Sequence, residues 1–433
     1  MTAIHWFNTE NFLMSEINQV KPDAVVVIGA GIVGLCVAYY ARKAGYEVKV
    51  IDPEEPGSQC TFGNAGAIAS GAVVPLSMPG SLRSALGMLL DPTGPLHLPL
   101  GHLLKAAPWL LQFVAASKPQ RVAEIASALH DLLKDSVQMH QELAQEIGCQ
   151  QLIRSNGQMH LYPNRGALQK DAASWNLKRA YGLEMLEIGG SEIRKMEPAV
   201  SSQYDCGYFL PDQGWVAEPF LYASAIADSL RKQGVEFVRD KVLRLAPEED
   251  GMWTIHSSSG SHSARHAVVA AGAWSAQLLR PLGMKILLES QRGYHVQFAH
   301  PNVNISRIVT LADRKVFITP MGSGLRAAGT VEFGGLKRPP DERRAKLIAK
   351  QLKVGLPGLD VSTPTIWMGH RPCLPDSMPV IGAAPGHAGL WCAFGHGHLG
   401  MTSCVHTGRL IADALDGHAD TGLLDAFSAS RFL

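Results

Sequence analysis

The first clear pattern in the chain is Ala24-Val-Val-Val-Ile28, five apolar residues with no polar position among them. An unbroken run of this kind predicts a central parallel strand covered on both faces. It passes directly into Gly29-Ala-Gly31-Ile-Val-Gly34. A helix-like segment then runs to about Ala44 and stops at Gly45. Residues 47–51 read as a second strand, ending at Asp52. Residues 24–41 carry no charge over 18 positions, the short end of a bilayer crossing. The spaced glycines, and β-branched residues confined to the start, argue instead for a strand, a turn and a helix in succession.

Later segments repeat the apolar theme. Residues 235–238 and 241–245 read as further strands of the first sheet. Residues 267–271 read as an apolar strand ending at Gly272, with a helix start behind it. Strand character also marks 151–161, 206–210, 294–298, 315–319 and 325–330, while 403–415 reads as a late helix. Residues 120–147 are helical by the spacing of Ile125, Leu129, Leu132 and Leu133. Residues 97–116 are apolar, helix-like in their second half, and carry Trp109. They are too broken to span a bilayer. They suit a buried or lid-forming helix, with contact at a membrane face as the alternative.

Composition narrows the class. At 433 residues the chain has room for two or three domains. Hydrophobic residues at 46% against 18% charged describe globular material able to bury a core. The net charge is +1 without a basic run, which argues against a nucleic-acid partner. Seven cysteines, an odd number with no Cys-x-x-Cys, argue against a disulfide framework and for a reducing compartment. Residues 1–20 lack a signal pattern and read as an N-terminal tail or an over-extended start, with Met14 inside it.

The glycine turn carries the first chemistry. Gly29 allows the tight turn, Gly31 lets a pyrophosphate approach the backbone, and Gly34 lets the helix lie against the strand. The helix start offers N–H groups and a positive dipole end to phosphates. Asp52, 23 positions after Gly29, is placed to accept from a ribose hydroxyl. This says dinucleotide without choosing between NAD and FAD. Residues 60–71, rich in small side chains, replace the strand–helix alternation that a nicotinamide dehydrogenase would continue. Such a stretch can lie against a flat ring.

Four stretches then carry a resemblance: Asn64-Ala-Gly66, Ala271-Gly272-Ala-Trp274-Ser, Gly369-His-Arg371-Pro with Pro375-Asp376, and Gly395-His-Gly-His-Leu-Gly400. Together they resemble the flavoprotein family of D-amino-acid oxidase, glycine oxidase and sarcosine oxidase. Within it they are most similar to the bacterial D-amino-acid dehydrogenases. The likeness covers the chain from about residue 23 to the end, and the Arg-Pro element with the late Gly-His-Gly turn is its most particular part.

The resemblance implies an α/β fold. A Rossmann-like FAD-binding domain would be assembled from 21–75, 220–285 and 365–433. An α+β substrate domain on a mixed sheet would take 76–219 and 286–364. Non-covalent FAD is favoured, since Cys373 does not superpose on the cysteine that some sarcosine oxidases join to flavin. Around the phosphates and ribose the implied FAD contacts are Gly29, Ala30, Gly31, Ile32, Val33, Gly34, Asp52 and Pro53. Thr61, Asn64, Ala65, Gly66, Val242, Ala271, Gly272 and Trp274 follow. Gly397, His398, Leu399, Gly400, Met401 and Thr402 complete the set, where a helix N-terminus would stabilise charge on a reduced ring.

The implied reaction is hydride transfer from a substrate α-carbon to flavin N5, giving an imino acid that hydrolyses to a 2-oxo acid and ammonia. The resemblance assigns Arg371 to the substrate carboxylate, a two-pronged role suited to a guanidinium. Tyr294 would line the pocket or simply sit in the core. Glu332 would touch the amine or simply pair with an arginine. His398 would face flavin or substrate, with His396 hydrogen-bonded behind it; no third ligand stands at a spacing that would make these a metal site. Phe317 lies where glycine oxidase carries a tyrosine, a departure that leans toward the dehydrogenase branch.

The leading expectation is oxidative deamination of D-amino acids, cyclic ones such as D-proline or 4-hydroxy-D-proline included, with electrons passed to a quinone or other carrier. An oxygen-using oxidase of glycine, sarcosine or another small amine, and a flavin-binding subunit of a larger dehydrogenase, are the alternatives. A cytoplasmic location is expected, with peripheral contact at the inner membrane face open. The oligomeric state is not legible.

Overall fold

A computed structural model describes residues 21–80, 94, 96–418 and 420–433. The tail expected at 1–20 lies outside the described residues.

The apolar run of the first strand is explained by its neighbours. Lys21–Ile28 lies inside a six-stranded sheet, flanked in parallel by Tyr46–Asp52 and His266–Val269. Glu236–Arg239 extends one side, and Leu390–Phe394 then Val380–Ala383 extend the other, the last pair antiparallel. Val25 and Val27 point into a core shared with the helices Ile32–Lys43, Pro219–Lys232 and Gly400–Leu415. Val26 and Ile28 point the other way, into a core shared with a three-stranded antiparallel sheet. Side chains alternate along a strand, so burial of both faces leaves no polar position to show.

That three-stranded sheet corrects one expectation. Residues 236–239 join the main sheet, but Val242–Pro247 pairs with Trp253–Ser257 in the separate layer. The chain changes sheet at Asp240, whose carboxylate accepts the N–H of Lys241 at 2.7 Å and of Ser259 at 3.0 Å.

The second body is a nine-stranded mixed sheet. Its order is Thr365–Cys373, Glu289–Phe298, Gly324–Phe333, Val316–Met321, Ile308–Leu311, Gln158–Tyr162, Cys206–Leu210 and Leu186–Gly189, with Leu96–His97 beside the third strand. One face packs on the helix Glu342–Gly355. Strand Thr365–Cys373 pairs along its length with Glu289–Phe298. The strand 365–373, which the resemblance grouped with the nucleotide end, is thus an edge of this sheet, and Arg371 stands on it. The expected strand at 151–161 is broken: Ile153–Arg154 pairs with Gly214–Val216 in a small separate sheet. Gly157, at φ +82°, turns the chain before Gln158 enters the large one.

The helix in the 97–116 stretch is longer than expected, Leu100–Ala116, with Pro108 inside it. It docks through Trp109, whose indole N–H donates to the Cys373 carbonyl at 3.1 Å. Leu103, Leu104, Leu111 and Val114 face outward. Among the described residues no helix is long and apolar enough to cross a membrane.

Candidate active site

At the nucleotide end the three glycines have different reasons to be glycine. Gly29 has φ +116°, and a Cβ there would strike the Ala270 carbonyl. At Gly34 a Cβ would strike the Gly29 carbonyl, so the helix and the turn are in direct backbone contact. At Gly31 the nearest atom to a Cβ is 3.9 Å away. The protein's own packing does not demand glycine there, and the space over the turn is open. Asp52 accepts the N–H of Ala30 at 2.7 Å and of Glu54 at 2.9 Å, which locks the turn to the end of the second strand. Burial raises its pKa, against those two bonds. Thr61 Oγ1 accepts the Ile32 N–H at 3.0 Å. The amides of Ala30 and Ile32 are therefore used inside the protein. Val33, one residue further along, stays in the first turn of the helix. Pro53 follows Asp52, and its carbonyl accepts from Arg239 at 3.4 Å.

Other expected cofactor residues converge on the same region. The Ala270 N–H donates to the Ile28 carbonyl at 2.9 Å, and this brings Ala271, Gly272 and Trp274 to the end of the first strand. Val242 is the first residue of the separate layer, just past the Asp240 turn. The Gly397 N–H donates to the Pro372 carbonyl at 2.9 Å, tying the Gly-His-Gly turn to the strand of Arg371. The helix Gly400–Leu415 starts after Leu399 with no side-chain cap. Thr402 Oγ1 bridges the carbonyl of Ala67 and the N–H of Ala69, each at 3.2 Å, while the Met401 carbonyl accepts from buried His140 at 2.7 Å.

The loop 61–66 runs between these elements and the large sheet. Gly66 closes on the Asn64 side chain at 2.7 Å. The carbonyls of the loop are taken by three side chains of the sheet that the sequence did not flag: His295 at Gly63 (3.0 Å), Thr319 at Ala65 (2.9 Å) and Arg326 at Phe62 (3.0 Å) and Asn64 (2.5 Å). The signal for His295 was the alternation of its strand, which sets Gln291, His295 and Gln297 on one face; Thr319 and Arg326 share that face with Phe317 and Ala328 and carry no such mark.

One register row crosses that face: Trp367, His295, Ala328, Phe317, Thr310, His160 and Tyr208 are paired strand by strand. Arg371 lies on the same face but off this row, four residues beyond Trp367 on the same strand and opposite Gln291. A Cβ on Gly293 would strike its guanidinium, so the fork lies flat over bare backbone, and its Nη1 donates to the Thr330 carbonyl at 3.1 Å. Among the described residues no carboxylate lies within 4 Å of Arg371. Burial lowers its pKa, with only cysteines opposing. His398 stands nearby, its ring accessible though protein surrounds it. Burial and then the charges of Arg371 and Lys178 lower its pKa to about 4, which leaves it neutral at pH 7. Lys178 lines a cavity of about 490 Å³ with Ser70, Gly71 and Gln213.

Tyr294 and Glu332 are not part of this group. Both project from the opposite face, Tyr294 1% and Glu332 0% exposed. The Tyr294 hydroxyl donates to Glu332 at 2.7 Å and accepts the Asp341 N–H at 2.9 Å. Glu332 faces Arg292 at 3.5 Å, both fully buried. Tyr294 thus sits in the core and Glu332 beside an arginine, the second of the two readings given for each, because the pleat carries them away from Arg371. His396 is buried and bonded to Thr407 Oγ1 at 3.0 Å, and burial lowers its pKa to about 3. Cys373 is buried, its thiol pushed up to about 12 by burial, which makes it a poor nucleophile.

A parallel sheet opening on a glycine turn, an acid at the end of the second strand, and a turn with room at Gly31 define a dinucleotide-binding oxidoreductase fold. The chain belongs to the FAD dependent oxidoreductase family, which matches residues 24–414. It is 38% identical over 94% of its length to a D-amino-acid oxidase of Bradyrhizobium diazoefficiens, covering 99% of that protein. It is 30% identical to a D-amino acid dehydrogenase of Paramagnetospirillum magneticum, over 94% of this chain and 98% of the other. The solved glycine oxidase of Geobacillus kaustophilus shares the fold at TM-score 0.73 and 19% identity, over 95% and 99% of the two chains. FAD is the cofactor, and the residues at the turn fit it.

Proposed function

We propose that the chain oxidises D-amino acids, with Arg371 holding the substrate α-carboxylate. The observation that carries this is a half-buried guanidinium lying flat over Gly293 with no acid beside it among the described residues. Burial of an unpaired charge is costly, and a carboxylate arriving from outside compensates it. The names of the similar proteins support a D-amino acid as the owner of that carboxylate. FAD, when bound, supplies the hydride acceptor. The chain's own groups bind and orient: Gly31 and the helix start take the pyrophosphate, Asp52 the ribose, and the 64–66 loop with the 397–402 turn the flavin end. His398, neutral at pH 7, borders the reacting carbon without adding a charge. Phe317 supplies an apolar wall on the same sheet face. The nucleotide-binding unit is proposed as 21–75, 220–285 and 374–433, and the substrate unit as 76–219 and 286–373.

Arg371→Ala is expected to retain FAD and to raise KM by about thirtyfold to several thousandfold, since losing one partner of a desolvated charge pair costs about 2–5 kcal/mol. Steady-state kinetics with D-amino acids test this; an unchanged KM removes Arg371 from the site. For the electron acceptor we propose a carrier such as a quinone, which the outward leucines of Leu100–Ala116 would help to meet at a membrane surface. Oxygen is the second reading, favoured by the oxidase name of the 38% identical relative. Peroxide formed in equal amount to product selects oxygen, and dye or quinone reduction without peroxide selects the carrier.

A further inference from the structure

A second guanidinium lies on the Arg371 face and has no part in the reading above. Arg326 is 3% exposed. Its Nη1 donates to the carbonyls of Phe62 and Asn64, and its Nε and Nη2 both donate to Gln297 Oε1, at 2.9 and 2.6 Å. Every acceptor is neutral. Among the described residues no carboxylate lies within 4 Å. Glu218 is the acid whose field reaches it, and that carboxylate is turned to the Ser323 N–H. Burial lowers the Arg326 pKa to about 10, so it is a cation at pH 7.

Its neighbours show what it does. With His295 and Thr319 it draws four consecutive carbonyls, 62–65, toward the sheet. In a trans peptide the N–H points opposite to the C=O, so the amides of this run face away from the sheet. Two are used within the loop: Asn64 N–H goes to the Thr61 carbonyl and Gly66 N–H to Asn64 Oδ1. Those of Gly63 and Ala65 have no partner among the described residues. A neutral side chain would suffice to hold a loop. A buried cation with only neutral acceptors implies a use for the charge.

We infer that Arg326 is a positioning residue that aims the Gly63 and Ala65 amides at the flavin end and sets behind them a positive charge with no salt-bridge partner among the described residues, favouring the reduced cofactor. Hydride transfer brings two electrons and one proton, so the reduced cofactor carries one more negative charge than the oxidised one. Fixed N–H dipoles and a cation in poorly polar surroundings stabilise that charge. The inference rests on the placement of the flavin against residues 64–66 proposed above, and it is independent of the substrate.

Two variants separate charge from structure. Gln297→Glu keeps the acceptor and sets a carboxylate on the guanidinium. It is expected to hold FAD and to shift the measured reduction potential downward. Arg326→Met is expected to lower the potential as well and to weaken FAD binding at least tenfold, read by fluorescence titration. Arg326→Lys restores the potential toward wild type while FAD binding stays weakened. A wild-type potential in Gln297→Glu overturns the electrostatic role, and this holds even if Arg326→Met fails to fold. Wild-type FAD affinity in a folded Arg326→Met overturns the positioning role. A wild-type protein that binds no FAD would instead sink the placement of the flavin itself.

Discussion

Arg371 and Glu332 stand two strands apart in one sheet, yet their side chains leave it on opposite faces. Arg371 has no acid partner among the described residues, whereas Glu332 is fully buried beside Arg292 and receives the Tyr294 hydroxyl. Removing one member of such a pair leaves the other charge stranded, at a cost of about 3–5 kcal/mol. Glu332→Ala is therefore expected to lower the denaturation midpoint strongly, with KM in the folded enzyme changed by less than about twofold. A KM that rose while stability held would return Glu332 to the substrate. The motif around Arg371 could be read from the sequence because its residue types are distinctive. The sidedness of Tyr294 and Glu332 could not be, because it depends on strand parity and on an irregularity in the pairing near Thr330, which adopts φ +63°.

The strand–turn–helix unit was legible almost to the residue. Its strand is buried on both faces, its helix ends where Gly45 turns at φ +94°, and each feature leaves a local mark. The backbone contact between the helix and the turn also gives a test. Gly34→Ala would drive a methyl into the Gly29 carbonyl. Overpacking of this kind costs about 1–3 kcal/mol, so the variant is expected to lose thermal stability and to release FAD on dilution. Unchanged FAD retention would mean that the turn does not depend on this contact. Sheet membership was less legible, because it is a long-range property. The 241–245 strand leaves the main sheet through a side-chain bond of Asp240 that its apolar pattern does not encode. The strand carrying Arg371 has no apolar run to mark it, because glycine and proline crowd it; Gly369 is there to make room for the Trp367 ring.

Across the whole molecule, two imidazoles that join the two bodies and the late helix are held neutral by burial. His295 grips the loop 61–66 and His396 braces the helix Gly400–Leu415, and both have pKa lowered to about 3. An unfolded histidine titrates near 6.5. Above that pH neither state binds the proton and the groups are silent. Below it the unfolded chain takes up protons that the fold refuses, so stability falls as pH drops from about 6.5 toward 3. The urea midpoint is expected to be lower at pH 5 than at pH 7, and the difference to shrink in His396→Asn. An equal difference in that variant would assign the acid sensitivity to other groups.

The proposed function places a small acid on Arg371 above a bound flavin. The most direct measurement is an anaerobic titration of the purified protein with D-amino acids, followed by visible absorbance. The account predicts a flavin spectrum that bleaches with a D-amino acid and stays intact with its L-enantiomer. A flavin spectrum that no D-amino acid bleaches, or a colourless protein that takes up no added FAD, would contradict it.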